Sequence, residues 1–242
     1  MKKGIYILPN AFTLMGMFSG FLAIIYAING NFSVAAWAVM VAMVFDGVDG
    51  FVARLTGSAT RFGIELDSLS DLVAFGVAPA IMIFEISIKA FGRLGWLAAF
   101  AYAACGALRL ARYNVQMVTT ERKSFMGLPI PGAAVILSTL VLFADKLQLN
   151  LYDNKLVLVL TYVLAGFMVS TLRFHGLKEL NIKGRKPFWL LVAIVVVIVV
   201  VAVYPEIALF CFAMLYLMVG IVENIILLAH KKGAHRQEAN LK

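Results

Sequence analysis

The sequence predicts an all-α integral membrane protein, and three observations lead to this fold class. Hydrophobic residues make up 62% of the 242 residues and charged residues only 14%, a balance that a water-soluble domain does not need. About eight apolar stretches are each roughly 20 residues or longer, enough to cross a hydrocarbon core of about 30 Å. Short connections rich in glycine, asparagine, proline or aspartate separate these stretches, so we expect consecutive membrane-crossing helices.

The predicted helices cover residues 5–29, 33–55, 63–88, 93–117, 130–148, 155–174, 187–204 and 206–230. Turn-forming sequences separate these helices, for example Asn-Gly-Asn at 29–31 and Tyr-Pro-Glu at 204–206. The first helix carries Gly16 and Gly20 four residues apart, a spacing that allows another helix to approach closely. We expect this contact to form within the monomer rather than at a dimer seam. The tail after His230 is predicted to be a solvated segment, covering 231–242.

The distribution of basic residues predicts the orientation of the helices. Lysine and arginine concentrate at both termini and in the alternate connections around 54–61, 109–123 and 173–186, whereas the connections around 89–93 and 146–155 carry few. The positive-inside rule therefore places both termini in the cytoplasm, with the protein in the cell membrane. The net charge of +8 indicates anionic membrane lipids as partners rather than nucleic acid, because the basic residues lie between apolar segments.

Four aspartates within 26 residues stand out against this apolar background: Asp46, Asp49, Asp67 and Asp71. The first two are three residues apart and the last two are four apart, so each pair shares one face of a helix. A short connection makes the two helices an antiparallel hairpin, which brings the pairs opposite each other at the cytoplasmic end. A carboxylate in a membrane costs on the order of 2.5–3.5 kcal/mol at mid-depth. An oxygen-rich cage of this kind suits a hard divalent cation, Mg²⁺ or Mn²⁺, and four carboxylates can hold two metals.

Small and basic residues near the four aspartates indicate that a ligand binds there. Gly50 and Ala53 leave room on the face of Asp49, and Gly63 leaves room one turn before Asp67. Arg54 offers a fork of donors that suits a phosphate. Glu65 points away from the face of Asp67 and is expected at the surface. The alternative, interfacial salt bridges at two helix ends, does not explain why small residues accompany both pairs.

The runs DGVDGFVAR at 46–54 and GIELDSLSD at 63–71, separated by eight residues, resemble the defining motif of the CDP-alcohol phosphatidyltransferases. This resemblance implies a six-helix transmembrane core, usually in a homodimer, with a cytoplasm-facing site that displaces CMP from a CDP-linked lipid by an alcohol, using a divalent metal. It also implies that Asp71 is the general base. On this basis we expect a catalytic core at 1–180, an additional helix pair at 187–230 and a cytoplasmic tail.

Further segments resemble the membrane-integral phosphatidylserine synthases of that family: LPNAFT at 8–13, VAFGVAP at 73–79, RLARYN at 109–114 and FMGLPIP at 125–131. The expected reaction transfers the phosphatidyl group from CDP-diacylglycerol to L-serine. The expected CDP-binding residues are Gly50, Ala53, Arg54, Asn10, Thr13 and Gly63. Because free serine carries a carboxylate and an ammonium group, its pocket needs further charge, and the expected serine-binding residues are Arg109, Arg112 and Asn114.

Two alternatives remain open at this point. Another acceptor, such as glycerol 3-phosphate or inositol phosphate, would use the same chemistry but would need a more basic pocket. A cation transporter would also carry buried acids, although transporters place them near mid-membrane on broken helices. The two cysteines, Cys105 and Cys211, lie in separate apolar runs, and we expect no disulfide.

Overall fold

The computed structural model of the chain describes residues 7–58, 60–118, 127–172, 195 and 199–240. Helices dominate, and no β-strand occurs within these ranges. The α-helices are α1 (Ile7–Ile28), α2 (Phe32–Thr56), α3 (Arg61–Asp71), α4 (Ala78–Ile86), α5 (Arg93–Val118), α6 (Ile130–Lys146), α7 (Lys155–Val169) and α8 (Pro205–Asn240). A π-helix, Leu72–Val77, joins α3 to α4, and a 3₁₀-helix, Ile88–Phe91, precedes α5.

Within the described residues, five helices are long and apolar enough to cross a membrane, judged by length and composition. They are α1, α2, the continuous stretch Arg61–Ile86, most of α5 and the segment Pro205–Ile226 of α8. The helix α7 is apolar but shorter, with 15 residues. The predicted all-α membrane fold is therefore confirmed, and the chain has the character of a multi-pass membrane protein.

The two faces of α1 show how this fold uses its apolar residues. The buried face carries small residues: Thr13, Gly16, Ser19, Gly20, Ala23 and Ala27. The exposed face carries large apolar residues: Leu14, Phe18, Phe21 and Ile25. Small residues let membrane helices approach closely, whereas large apolar side chains face lipid at no cost. A water-soluble bundle has the opposite arrangement.

Gly16 and Gly20 make contacts inside the monomer, as the sequence predicts. A Cβ on Gly20 would lie 2.5 Å from the Cα of Ala74 in the π-helix, so only glycine allows this approach. A Cβ on Gly16 would lie 3.6 Å from the carbonyl oxygen of Ala42 in α2. The Ser19 hydroxyl donates to the Ala38 carbonyl, 2.8 Å away, and ties α1 to α2.

The π-helix was not predicted, although Gly76 lies within it and Pro79, which has no backbone N–H to donate, follows two residues after its end. It begins directly after Asp71, and a π-turn changes the direction in which later side chains point. The hydroxyl of the fully buried Tyr102 in α5 donates to the Phe75 carbonyl, 3.2 Å away. Contacts from α1 on one side and α5 on the other therefore hold this irregular segment in place.

Helix α6 lies at the centre of the bundle and is buried along most of its length, by residues such as Ile136 and Leu137. The turn before it is fixed to the end of α7. The Gly127 N–H donates to the Leu172 carbonyl at 2.8 Å, and the Leu128 N–H donates to the Phe167 carbonyl at 3.0 Å. Gly127 has a φ of 85°, a conformation that favours glycine.

The helix ends differ from the prediction at two places. The helix α7 ends at Val169 rather than near 174, because Ser170 has an extended backbone and its hydroxyl donates to the Phe167 carbonyl. The helix α8 continues through Asn240, past the predicted end at 230, because the added segment contains alanine, lysine, glutamine and glutamate, which favour helices. Most of the predicted helix 187–204 lies outside the described residues, although 195 and 199–203 are helical. Residues 125–126 of the FMGLPIP segment lie outside them too.

Candidate active site

The turn between α2 and α3 sets the relative position of the two aspartate pairs. Gly57 closes α2 with a φ of 59°, and its N–H bonds to the Ala53 carbonyl. The Thr60 hydroxyl caps α3 by accepting from the Gly63 N–H at 3.0 Å. Both caps satisfy backbone groups that a helix end would otherwise leave free, so the chain reverses within a few residues and the helices form a hairpin.

The hairpin brings three of the four aspartates into one cluster. One carboxylate oxygen each from Asp46, Asp49 and Asp67 lies within 4.8 Å of the others. Asp71 adjoins this cluster, since its side chain is within hydrogen-bonding reach of Asp46. Like charges this close repel, and the repulsion is stronger where the side chains are partly buried, as here. The arrangement therefore calls for a cation.

Asp49 is the most deeply placed member of the cluster. It is 5% exposed, and its Oδ2 atom is buried without a hydrogen-bond partner. A buried carboxylate oxygen without a partner costs free energy. The Thr13 side chain of α1 lies beside the carboxylate, while its hydroxyl donates to the Pro9 carbonyl at 3.1 Å. An ion would give Oδ2 the partner that it lacks.

Helix α1 forms one wall of the site through Thr13 and Asn10. A Cβ on Gly63 would lie 3.3 Å from the Asn10 side-chain oxygen, so Asn10 rests against the start of α3. The Ser70 hydroxyl donates to the Thr13 carbonyl at 3.0 Å, and Ser70 is buried. Ser70 was not predicted as a site residue, although its hydroxyl next to Asp71 on α3 was a signal for it.

Arg54 lies near the end of α2 and is exposed. Its guanidinium folds back over Gly50, where a Cβ would lie 3.4 Å from Nη1. Gly50 and Ala53 are partly buried. The exposed N–H groups of the Arg54 guanidinium therefore lie beside a surface without bulky side chains, which suits a phosphate-bearing ligand.

The three predicted serine-binding residues of α5 occupy different surroundings. Arg109 is partly buried, with an Nε atom that is buried and without a partner, and it is close enough to Asp71 for electrostatic interaction. Arg112 is exposed, and its Nη1 donates to the Val169 carbonyl at 3.2 Å. The Asn114 amide donates to Ser68 at 3.0 Å and to Glu65 at 3.3 Å. Of the three, Arg109 is the one with an electrostatic interaction with an aspartate of the site.

A separate cavity of about 570 Å³ lies at the other end of the bundle, between the α1–α2 turn and the α6–α7 connection. Glu85 and Asp145 are among its lining residues, and Glu85 pairs with Lys89 at 2.7 Å. None of the predicted site residues lines it. The aspartate cluster, with its closely set carboxylates, is the better candidate for chemistry.

Comparison with known proteins places this site in a family. A sequence model of the CDP-alcohol phosphatidyltransferases matches residues 6–171. The chain belongs to this family. The matched range contains all four aspartates, so the cluster of this phosphatidyltransferase lies inside the family core, whereas α8 lies beyond it.

Individual relatives resemble this phosphatidyltransferase over most of its length. The CDP-diacylglycerol–serine O-phosphatidyltransferase of Helicobacter pylori strain J99 is 39% identical over 93% of this chain and 93% of its own. The enzyme of the same name from Methanocaldococcus jannaschii is 35% identical over 67% of this chain and 70% of its own. The archaetidylserine synthase of Methanothermobacter thermautotrophicus is 42% identical over 56% of this chain and 58% of its own.

The family generally depends on a divalent metal, and the residues of this phosphatidyltransferase fit one. Three carboxylates offer oxygens within 4.8 Å of one another, and the buried Oδ2 of Asp49 has no other partner. Carboxylate oxygens are the donors that hard cations such as Mg²⁺ and Mn²⁺ prefer. Asp46, Asp49 and Asp67 are therefore the residues that would hold it.

Proposed function

We propose that this protein is a phosphatidylserine synthase, which transfers the phosphatidyl group from CDP-diacylglycerol to the hydroxyl of L-serine and releases CMP. The observation that carries the proposal is the 39% identity to the Helicobacter pylori enzyme over 93% of both chains. The aspartate cluster supports the same chemistry, since its carboxylates can hold the divalent metal on which the family generally depends. The position of the cluster at one end of the helices, in a family of transferases, favours this function over cation transport.

The metal site is proposed to use Asp46, Asp49 and Asp67, with Asp71 sharing a second ion if one binds. A bound Mg²⁺ or Mn²⁺ would neutralise the pyrophosphate of the lipid substrate and the charge that develops on departing CMP. The chain supplies a closely set group of acidic side chains that α1, α2 and α3 hold in place. Ser70 and Thr13 contribute to this rigidity through their bond between α3 and α1.

Asp71 is proposed as the general base. It accepts the proton of the serine hydroxyl while the serine oxygen forms a bond to the phosphorus that carries diacylglycerol. The bond from that phosphorus to the bridging oxygen of CDP breaks, and CMP leaves with the electron pair. The products are phosphatidylserine and CMP, and the proton remains on Asp71. The place of Asp71 next to Asp46, at the edge of the carboxylate cluster, supports this role.

The substrate groups are assigned to opposite sides of the cluster. Gly50, Ala53, Arg54, Asn10, Thr13 and Gly63 are proposed to contact the CDP group. The placement of the Arg54 guanidinium over Gly50 supports this side. On the α5 side, Arg109 and Arg112 are proposed to bind the serine carboxylate, with Asn114 as a further contact. The partial burial of Arg109 and its electrostatic interaction with Asp71 support it as the stronger of the two.

The surroundings of the enzyme are part of the proposal. We place the protein in the cell membrane with the site and both termini on the cytoplasmic side, as the basic connections indicate, and with anionic lipids around it. We also propose a homodimer, a catalytic core at 1–180, an additional helix pair at 187–230 and a cytoplasmic tail.

The function is tested by a product assay with the purified protein in detergent. CDP-diacylglycerol and Mg²⁺ or Mn²⁺ are supplied with radiolabelled L-serine or, in parallel, with radiolabelled glycerol 3-phosphate. We expect labelled phosphatidylserine and CMP with serine, and no labelled lipid with glycerol 3-phosphate. If labelled lipid forms only with glycerol 3-phosphate, the proposed reaction type is correct but serine is not the acceptor.

The two arginines of α5 should differ in their effect on serine use. Arg109→Ala should raise the KM for serine by about 10- to 100-fold, because it removes a partly buried charge from the acceptor carboxylate. Arg112→Ala should raise it by less than about 3-fold, because an exposed pair is screened by water. Steady-state kinetics with serine as the varied substrate check both values. Equal effects of the two variants would contradict the assignment of Arg109 as the stronger contact.

A further inference from the structure

The backbone directly after Asp71 has an unusual hydrogen-bond pattern. Residues Leu72–Val77 form a π-helix, in which an N–H bonds to the carbonyl five residues earlier instead of four. The bond from the Ala78 N–H to the Val73 carbonyl has this spacing. The π-helix is rare and occurs frequently at functional sites. Because the chain otherwise favours the α-helix, contacts from the rest of the molecule are needed to hold this segment.

A tyrosine of α5 supplies one of these contacts, at the carbonyl of Phe75 in the middle of the π-helix. In an α-helix this carbonyl would accept from the N–H of residue 79, but residue 79 is proline, which has none. The hydroxyl of Tyr102 donates to the Phe75 carbonyl at 3.2 Å. Phe75 is 1% exposed and Tyr102 is 0% exposed. The bond is therefore shielded from water, and its loss would leave a buried acceptor without this donor.

Hydrogen bonds to two different helices thus fix the chain on both sides of Asp71. One residue before it, the Ser70 hydroxyl donates to the Thr13 carbonyl of α1 at 3.0 Å. Four residues after it, the Phe75 carbonyl accepts from Tyr102 of α5. Both bonds are buried. Since Asp71 lies between these two anchored points, the direction of its carboxylate depends on the π-helical turn that separates it from Phe75.

We propose that Tyr102 is a positioning residue for the general base, because its hydrogen bond to Phe75 holds the π-helical turn that directs Asp71 toward the serine hydroxyl. The inference rests on the proposed function, since it takes Asp71 as the base. Without the tyrosine hydroxyl, the turn shifts to relieve the unpaired carbonyl, and the Asp71 carboxylate moves with it. Tyr102 acts through the backbone and is not assigned contact with either substrate.

The test compares Tyr102→Phe with wild type in the full-length protein. Phenylalanine keeps the buried ring and removes only the hydroxyl. We expect kcat to fall about 10- to 100-fold, because a displacement of about 1 Å caused far from the chemistry can cost about 100-fold. The KM values for serine and CDP-diacylglycerol should stay within about 3-fold, because the residues assigned to bind both substrates are unchanged.

Tyr162→Phe is the matched control. Its hydroxyl also donates to a backbone carbonyl, that of Leu94, 3.0 Å away, but at the other end of the bundle. We expect kcat of this variant to stay within about 2-fold of wild type. Calorimetric titration with CDP-diacylglycerol measures the fraction of each preparation that binds substrate, and kcat is expressed per binding-competent molecule. A partly unfolded variant is therefore not mistaken for one with a misplaced base.

A double-mutant cycle separates positioning of the base from a general effect on the fold. In an Asp71→Asn background no base remains to be positioned, so Tyr102→Phe should lower kcat by less than about 2-fold further. The inference would be overturned by a kcat of Tyr102→Phe within about 2-fold of wild type, or by an equal loss in both backgrounds. Near-normal turnover in Asp71→Asn, or wild type that forms no phosphatidylserine, would instead reject the proposed function, so the two failures are distinguishable.

Discussion

Replacing Asp71 with asparagine should lower the turnover number by about 10²- to 10⁴-fold, the range typical of losing a general base. Asparagine has nearly the same shape as aspartate but cannot take up the serine proton. Binding of CDP-diacylglycerol should persist, because Asp46, Asp49 and Asp67 still provide the three oxygens that cluster within 4.8 Å. Release of CMP measures turnover, and isothermal titration in detergent measures binding of the lipid nucleotide.

Glu65→Gln is the control for this variant. Glu65 lies on the same helix as Asp71 but is exposed, and it accepts a hydrogen bond from Asn114. We expect its turnover to stay within about 3-fold of wild type, as for a surface polar change. Near-normal turnover in Asp71→Asn would remove Asp71 from the role of base. Loss of lipid binding together with turnover would instead point to Asp71 as a metal ligand.

Replacing Asp49 with asparagine should lower activity at least about 100-fold, since even residues that only support a metal ligand can cost 10- to 100-fold. The physical reason is the buried Oδ2 of Asp49, which has no partner in the protein. Exhaustive chelation of wild type should abolish activity, and Mg²⁺ or Mn²⁺ should restore it. Titration of each metal against the rate of CMP release compares Asp49→Asn with wild type.

The same variant should be more stable than wild type without metal and should gain less stability from added metal. In chelator, Asp49→Asn should melt at a higher temperature than wild type, because one of several repelling charges has been removed. Added metal should raise the melting temperature of Asp49→Asn less than that of wild type, because the variant binds the ion less well. Asp145→Asn, exposed and at the other end of the bundle, should behave like wild type. Activity that survives chelation would contradict the metal site.

Much of the fold was predictable because a membrane imposes simple requirements. A helix must be long and apolar to cross lipid, and the starts of α1, α2 and α5 agree with the prediction to within two residues. The meeting of Asp46, Asp49 and Asp67 also followed from local rules: the three- and four-residue spacings fix the helix face, and the short connection forces a hairpin. Gly16 and Gly20 predicted a close contact inside the monomer for the same reason.

Features that depend on distant partners could not be read from local patterns. The π-helix after Asp71 is stabilised by Gly20 from α1 and by Tyr102 from α5, neither of which is near it in sequence. The spacing of Arg109 and Arg112 on α5 did not reveal which of them approaches Asp71, because this depends on the rotation of α5 within the bundle.

The sequence by itself determined the membrane-helical class and the helix faces of the acidic residues, because helix periodicity and hydrophobicity act over a few residues. The family followed from the resemblance of its aspartate motif. Only the tertiary structure decided that Asp71 adjoins the three clustered aspartates through Asp46, and that Arg109 comes within range of electrostatic interaction with Asp71. These relations join residues on different helices. They depend on how helices rotate and approach one another, which small residues such as Gly20 permit but do not specify.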